Sequence, residues 1–199
     1  MKKAILITFL LSIVLIAEPL KSGTPQTQAG SKAILFGING LSDLSLQNSR
    51  VAFQYLFADK MGLWAGLGLA FLSDKPNEDA SDNVNNDLDL DIGFLYYLFQ
   101  KGPVACWVSP KIGIGFGSSE YQDIETPKVE ISSNAFDIGL QVGVEWWFTD
   151  NVSLSLETDF GFVSKKKTIE SASHKIESSQ TKFGILSDGS ASFVILFYF

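Results

Sequence analysis

Phe193-Val194-Ile195-Leu196-Phe197-Tyr198-Phe199 is the last stretch of the chain. Side chains of an extended segment alternate between two faces, so Phe193, Ile195, Phe197 and Phe199 share one face. Ser190, Ser192, Val194, Leu196 and Tyr198 share the other. An uncharged edge carrying such large apolar groups would template aggregation in water. The stretch therefore predicts a strand paired on both sides and facing hydrocarbon, the closing strand of a membrane barrel.

The same alternation recurs upstream. In the clearest case Phe136, Ile138, Leu140, Val142, Val144, Trp146 and Phe148 fall on one face, and Ala135, Asp137, Gly139, Gln141, Gly143, Glu145 and Trp147 on the other. Such segments lie near residues 32–41, 49–58, 62–72, 86–99, 103–117, 133–148, 152–164 and 180–199, an even number that allows closure. A soluble sandwich also alternates, but here strand after strand carries a bulky apolar face with no helix or second sheet to cover it. The expected class is all-β: an eight-stranded antiparallel up-and-down transmembrane β-barrel. Three connections are tight, at Asp59-Lys60-Met61-Gly62, Gln100-Lys101-Gly102-Pro103 and Thr149-Asp150-Asn151, and are expected to face the periplasm. The long polar connections 42–48, 73–85, 118–132 and 164–179 are expected outside the cell. Tyr55, Phe57, Tyr96, Phe99, Trp146, Trp147 and Phe148 flank the tight turns and read as an aromatic girdle.

At the N-terminus, Met1-Lys2-Lys3 precedes an apolar run from Ala4 to Ala17 that is too short to span a bilayer. This reads as a cleavable signal peptide over 1–22, although Leu15 departs from the small-residue cleavage rule. Residues 23–31 read as a short polar linker and 32–199 as the barrel. No cysteine follows the apolar run to carry a lipid, and the single Cys106 can form no internal disulfide. Losing Lys2 and Lys3 takes the formal net charge from −7 to −9, which argues against a nucleic-acid partner.

The residues resemble a known family. Leu35-Phe36-Gly37-Ile38-Asn39-Gly40, Tyr55-Leu56-Phe57 with Gly66-Leu67-Gly68, and the terminal Phe197-Tyr198-Phe199 are similar to the outer-membrane-protein β-barrel domain, the OmpA/OmpX-like eight-stranded barrels. The resemblance spans about residues 32–199. It implies the outer membrane of a Gram-negative-type bacterium, lipid and lipopolysaccharide as surroundings, and a terminal signal, Phe197 and Phe199, read by the barrel assembly machinery. No peptidoglycan-binding domain follows, so an OmpX-like free barrel is expected rather than an OmpA-like tether.

With the apolar faces outward, Gln54, Asp89, Asp91, Lys111, Asp137, Gln141, Glu145, Glu157, Asp159 and Asp188 point inward. One lysine then meets many carboxylates, and Lys111 is expected to pair with Glu145, Asp137 or Glu157. Eight strands leave an interior that side chains can fill, so a packing network is expected, with a narrow cation-preferring pore as the alternative. The stretch from Asp74 to Asp91 is rich in oxygen ligands but lacks the calcium-loop glycine. Lys165-Lys166-Lys167 is placed to meet lipid headgroups. His174, the sole histidine, lies near Ser171, Ser173 and Glu177 in a polar connection, which does not amount to a catalytic motif. No phosphate loop, zinc cluster or nucleophile elbow is present, so no enzyme, no cofactor and no metal is expected. The reading is a monomeric barrel acting in envelope integrity or surface contact and adhesion through its external loops and an unidentified surface partner. A secreted lipocalin-like carrier of an apolar ligand is the other alternative.

Overall fold

A computed structural model describes residues 23–39, 49–74, 82–122, 129–171, 174–185 and 192–199. The segments 1–22 and 186–191, which include the expected signal peptide and Asp188, lie outside the described residues, as do 75–81 of the acidic connection. Among the described residues there are nine strands: β1 (Lys32–Asn39), β2 (Ser49–Ala58), β3 (Met61–Asp74), β4 (Asp82–Lys101), β5 (Val104–Gln122), β6 (Val129–Trp147), β7 (Val152–Ser171), β8 (His174–Ile185) and β9 (Ser192–Tyr198). All pairings are antiparallel.

The sheet closes on itself. Neighbours pair in sequence from β1 to β7, β9 pairs with β1, and β9 also pairs with Val152 to Glu157 of β7. The remaining length of β7, Phe160 to Ser171, pairs with β8. Strands β8 and β9 therefore share the eighth stave of an eight-stave barrel.

The expected single strand 180–199 is thus two segments, and the expected loop 164–179 is mostly a ladder. The strands β3, β4, β5 and β6 also run past their expected outer ends. The reason is physical: above the lipid belt both faces meet water, so the apolar alternation fades while the hydrogen-bonded ladder continues. Cross-strand ion pairs take over there, with Lys166 Nζ 2.9 Å from Glu177 Oε2 and Lys175 Nζ 2.7 Å from Glu170 Oε1.

Below that zone the alternation sets the two environments. Phe136, Ile138, Leu140 and Val142 are exposed on β6, whereas Gln141, Gly143, Glu145 and Trp147 are buried. From Phe136 to Trp146 at ~3.3 Å per residue and a tilt of ~40°, the belt is ~25 Å tall, the height of the hydrocarbon layer such barrels meet. Tyr55, Phe57, Tyr96, Phe99 and Phe148 stand exposed around the tight-turn end, and Trp146 packs on Phe148 at 5.7 Å. Trp147 leaves this girdle, since its parity turns it inward, where it is fully buried. Cys106 lies on the outward face opposite Val144, between the buried Ala105 and Trp107.

The core is inside the barrel. Leu35, Leu56, Trp64, Leu95, Tyr97, Trp107, Trp147, Val194, Leu196 and Tyr198 fill the half nearest the tight turns. Glycines make room for the indoles: a Cβ on Gly93 would lie 2.4 Å from Trp64 Nε1, and one on Gly143 2.4 Å from Trp107 Cζ2. Pairing the largest side chain with none at all keeps a narrow barrel filled without distortion.

Candidate functional site in the lumen and on the outer hairpin

Three layers of polar groups follow one another up the lumen. Nearest the tight turns, Glu145 of β6 is 1% exposed and accepts three hydrogen bonds. Tyr198 Oη donates to Oε1 at 2.7 Å, Tyr97 Oη donates to Oε2 at 2.7 Å, and Ser153 Oγ donates to Oε1. These donors come from β9, β4 and β7, so one carboxylate ties together four staves. A buried carboxylate is tolerable only when its lone pairs are so occupied.

In the second layer Glu157 accepts a 2.9 Å hydrogen bond from Gln141 Nε2 and lies 3.8 Å from Arg50 Nη2. Arg50 also stacks on Trp64, its guanidinium carbon 4.4 Å from the ring centroid. Arg50 is an interior cation that the sequence reading left out. Its signal was available in the alternation of β2, where Arg50 shares parity with Ala52, Gln54 and Leu56, but a cation at the start of a strand reads as rim.

In the third layer Lys111 Nζ lies 2.9 Å from Asp159 Oδ2, 3.7 Å from Asp137 Oδ1 and 3.8 Å from Asp91 Oδ1. Of the expected partners only Asp137 is there. Glu145 and Glu157 belong to the layers below, because the register sets them at Ala105 and Gly143, several residues nearer the tight turns than Gly139, which faces Lys111. Above, Asp89 and Asp87 line β4 and reach solvent. They face Gly115 and Gly117 of β5, where added Cβ atoms would lie 2.5 Å and 2.3 Å from the respective Asp Oδ1. Among the described residues no group of three or more His, Cys, Asp and Glu side chains forms a metal-binding set. At the centre of Asp91, Asp137 and Asp159 stands the lysine ammonium.

On the outside, Phe197 and Phe199 are exposed on the lipid face, and Phe197 meets Phe36 edge-on at 5.9 Å across the β1–β9 seam. The run Lys165-Lys166-Lys167 is divided by strand alternation. Lys166 shares the outward parity of Phe160 and Phe162 and is bound to Glu177, while Lys165 and Lys167 take the opposite face. His174 opens β8 opposite Ser171 at the tip of the hairpin. There the hydrogen bond to Glu170 holds the Lys175 ammonium above its ordinary range, and the hydrogen bond from Lys166 holds the Glu177 carboxyl below its own.

A closed antiparallel sheet of eight staves with an apolar outer belt and a polar, filled lumen defines the fold of a transmembrane β-barrel. The same fold is found in a major outer membrane protein from Thermus thermophilus, which is similar over 85% of this chain and 98% of its own, with a TM-score of 0.57 and 16% identity. Looser likenesses are to Ail, the attachment invasion locus protein of Yersinia pestis, with TM-score 0.46 and 10% identity over 86% of this chain and 100% of its own. Another is to the N-terminal β-barrel domain of Pseudomonas aeruginosa OprF, with TM-score 0.42 and 13% identity over 87% and 100%. No family model and no curated protein matches the sequence.

Proposed function

We propose that this protein sits in the outer membrane of a Gram-negative-type bacterium, is exported by a signal peptide within residues 1–22, and acts through surface contact made by its outer hairpin. The observation that carries this reading is β8. Its residues are exposed on both faces, with only Gly184 and Ile185 partly covered, and among the described residues it pairs with β7 alone. A strand with an open edge is a template for strand addition by an extended partner segment. The apolar belt supports a lipid and lipopolysaccharide environment, with Lys166 at the headgroup level and Phe197 and Phe199 as the residues offered to the assembly machinery. The chain acts as a monomer and catalyses no reaction.

The filled lumen speaks against the pore alternative. Trp64, Trp107, Trp147, Tyr97 and Tyr198 occupy the space that ions would cross. A lipocalin-like carrier needs an empty apolar interior, and the same side chains take it up.

The test replaces residues 166–182 with a short turn in cells that make the full chain. Fractionation to the outer membrane and a gel-mobility shift on boiling should persist, while attachment of the cells to a protein-coated surface should fall. Undiminished attachment by cells with the shortened hairpin would sink the surface-contact reading.

A further inference from the structure

We propose that residues 23–31 are a built-in seal across the inner mouth of the barrel, at the end closed by the tight turns. Their sequence, Gly-Thr-Pro-Gln-Thr-Gln-Ala-Gly-Ser, is uncharged and reads as a linker, yet six of the nine residues are hydrogen-bonded to the barrel. Gly23 N donates to Trp147 O at 3.0 Å and Thr24 N to Asp150 Oδ1 at 2.6 Å, at the β6–β7 turn. Four residues on, Lys60 N donates to Thr27 O at 2.7 Å at the β2–β3 turn, and Thr27 Oγ1 donates to Gln100 Oε1 at 2.9 Å at the end of β4. Ala29 N then donates to Asp59 Oδ1 at 3.0 Å, and Gly30 N to Leu56 O at 2.7 Å.

The order of staves turns these contacts into a path. Between the β6–β7 turn and the β2–β3 turn lie β3 to β6 one way round and β7, β9, β1 and β2 the other. The two turns are diametrically opposed, so a segment touching both crosses the mouth. Pro25 and Thr27 are buried along the way, Thr27 only 6% exposed. The fit is close at its start, where a Cβ on Gly23 would fall 1.9 Å from the carbonyl carbon of Thr149. Lys60, whose N–H the segment binds, is in the left-handed conformation (φ 63°) at the β2–β3 turn, a region that residues other than glycine adopt seldom. Directly above it lie Trp147, Leu56, Tyr97 and the Glu145 layer, whose hydrogen bonds strengthen when water is kept out. The seal shuts that layer off from the periplasmic side and clamps three turns that would otherwise fray independently.

The experiment uses the full chain folded in detergent micelles, in a C106S background. Single variants T27C and Q28C are labelled with a water-soluble maleimide. T27C should react at least about tenfold more slowly than its exposed neighbour Q28C, the difference vanishing in urea; equal rates in the folded protein would overturn the placement. T27D buries a carboxylate where Thr27 is only 6% exposed and should release the segment, raising acrylamide quenching of the tryptophans about twofold in protein that still shifts on boiling. Folded T27D with unchanged quenching would mean that the aromatic layer excludes water by itself, and the seal would be refuted. If T27D does not fold, T27C labelled to completion carries a bulky group in the same place and is read the same way against unlabelled protein.

Discussion

The phenol of Tyr198, the penultimate residue, donates a 2.7 Å hydrogen bond to Oε1 of Glu145, two staves away across β7. The outer face of the same closing strand is held by Phe197 against Phe36. The closing strand is thus held on both faces, by a polar contact to β6 inside the barrel and by an aromatic one across the β1–β9 seam outside. Tyr198→Phe should lower stability by about 1–3 kcal/mol, the cost of leaving a buried carboxylate short of one donor. Tyr55→Phe, on the lipid side, should stay within about 0.5 kcal/mol. Urea unfolding in lipid vesicles compares the two, and equal effects would remove the closing role of Glu145.

Lys111 neutralises part of a three-carboxylate cluster. Removing one partner of a buried ion pair costs about 3–5 kcal/mol, and the partial exposure of Asp91, Asp137 and Asp159 (12–21% of their side chains) places Lys111→Ala at the low end of that range or below it. Adding Asp159→Asn should restore part of the loss, because it removes the carboxylate closest to the missing ammonium. A double variant no more stable than Lys111→Ala would show that the charges do not interact.

Two glycines separate rigid from yielding crowding. A Cβ on Gly143 would approach Trp107 Cζ2 to 2.4 Å, and one on Gly113 would approach Asp137 Oδ2 to 2.2 Å. The indole is wedged in the core, whereas a carboxylate tip can rotate toward the open outer lumen. Gly143→Ala should cost about 1–3 kcal/mol and Gly113→Ala less, despite the shorter approach. The order of the two unfolding midpoints checks this.

The outer hairpin should respond to pH at both extremes. The lowered folded value of Glu177 contributes stability that is present above the ordinary carboxylate value of 4.5 and is lost as pH falls through the lower folded value. The raised folded value of Lys175 contributes stability present below the ordinary 10.5 and lost as pH rises through the higher folded value. After correction for intrinsic exchange, amide protection of β8 should therefore be flat between about pH 5 and pH 10. It should weaken on either side, and also in ~1 M salt, which screens exposed pairs. Protection that declines steadily through neutral pH would point to other groups.

Legibility in the sequence followed the environment of each residue. On β6 lipid lies on one side and the lumen on the other, so the alternation from Ala135 to Phe148 carried both strand and facing. On β7 and β8 beyond Phe162 both faces are solvated, and a ladder of Ser, Thr, Lys and Glu looked like a loop. The inward parity of Glu145, Glu157 and Lys111 was readable from spacing. Of their partners only Asp137 was, since Lys111 also meets Asp159 and Asp91, on staves from β4 to β7 whose relative height depends on tilt.

The sequence by itself determined that this chain is an all-β barrel with an apolar exterior, because a period of two needs only local geometry and the contrast between lipid and water. Tertiary structure alone decided how the eighth stave divides, that Arg50 rather than Lys111 serves Glu157, and that residues 23–31 cross the inner mouth. Each of these depends on which segments meet when the sheet closes. Closure joins residues far apart in the chain, such as Thr27 and Gln100 or Glu145 and Tyr198, at distances that no local pattern encodes.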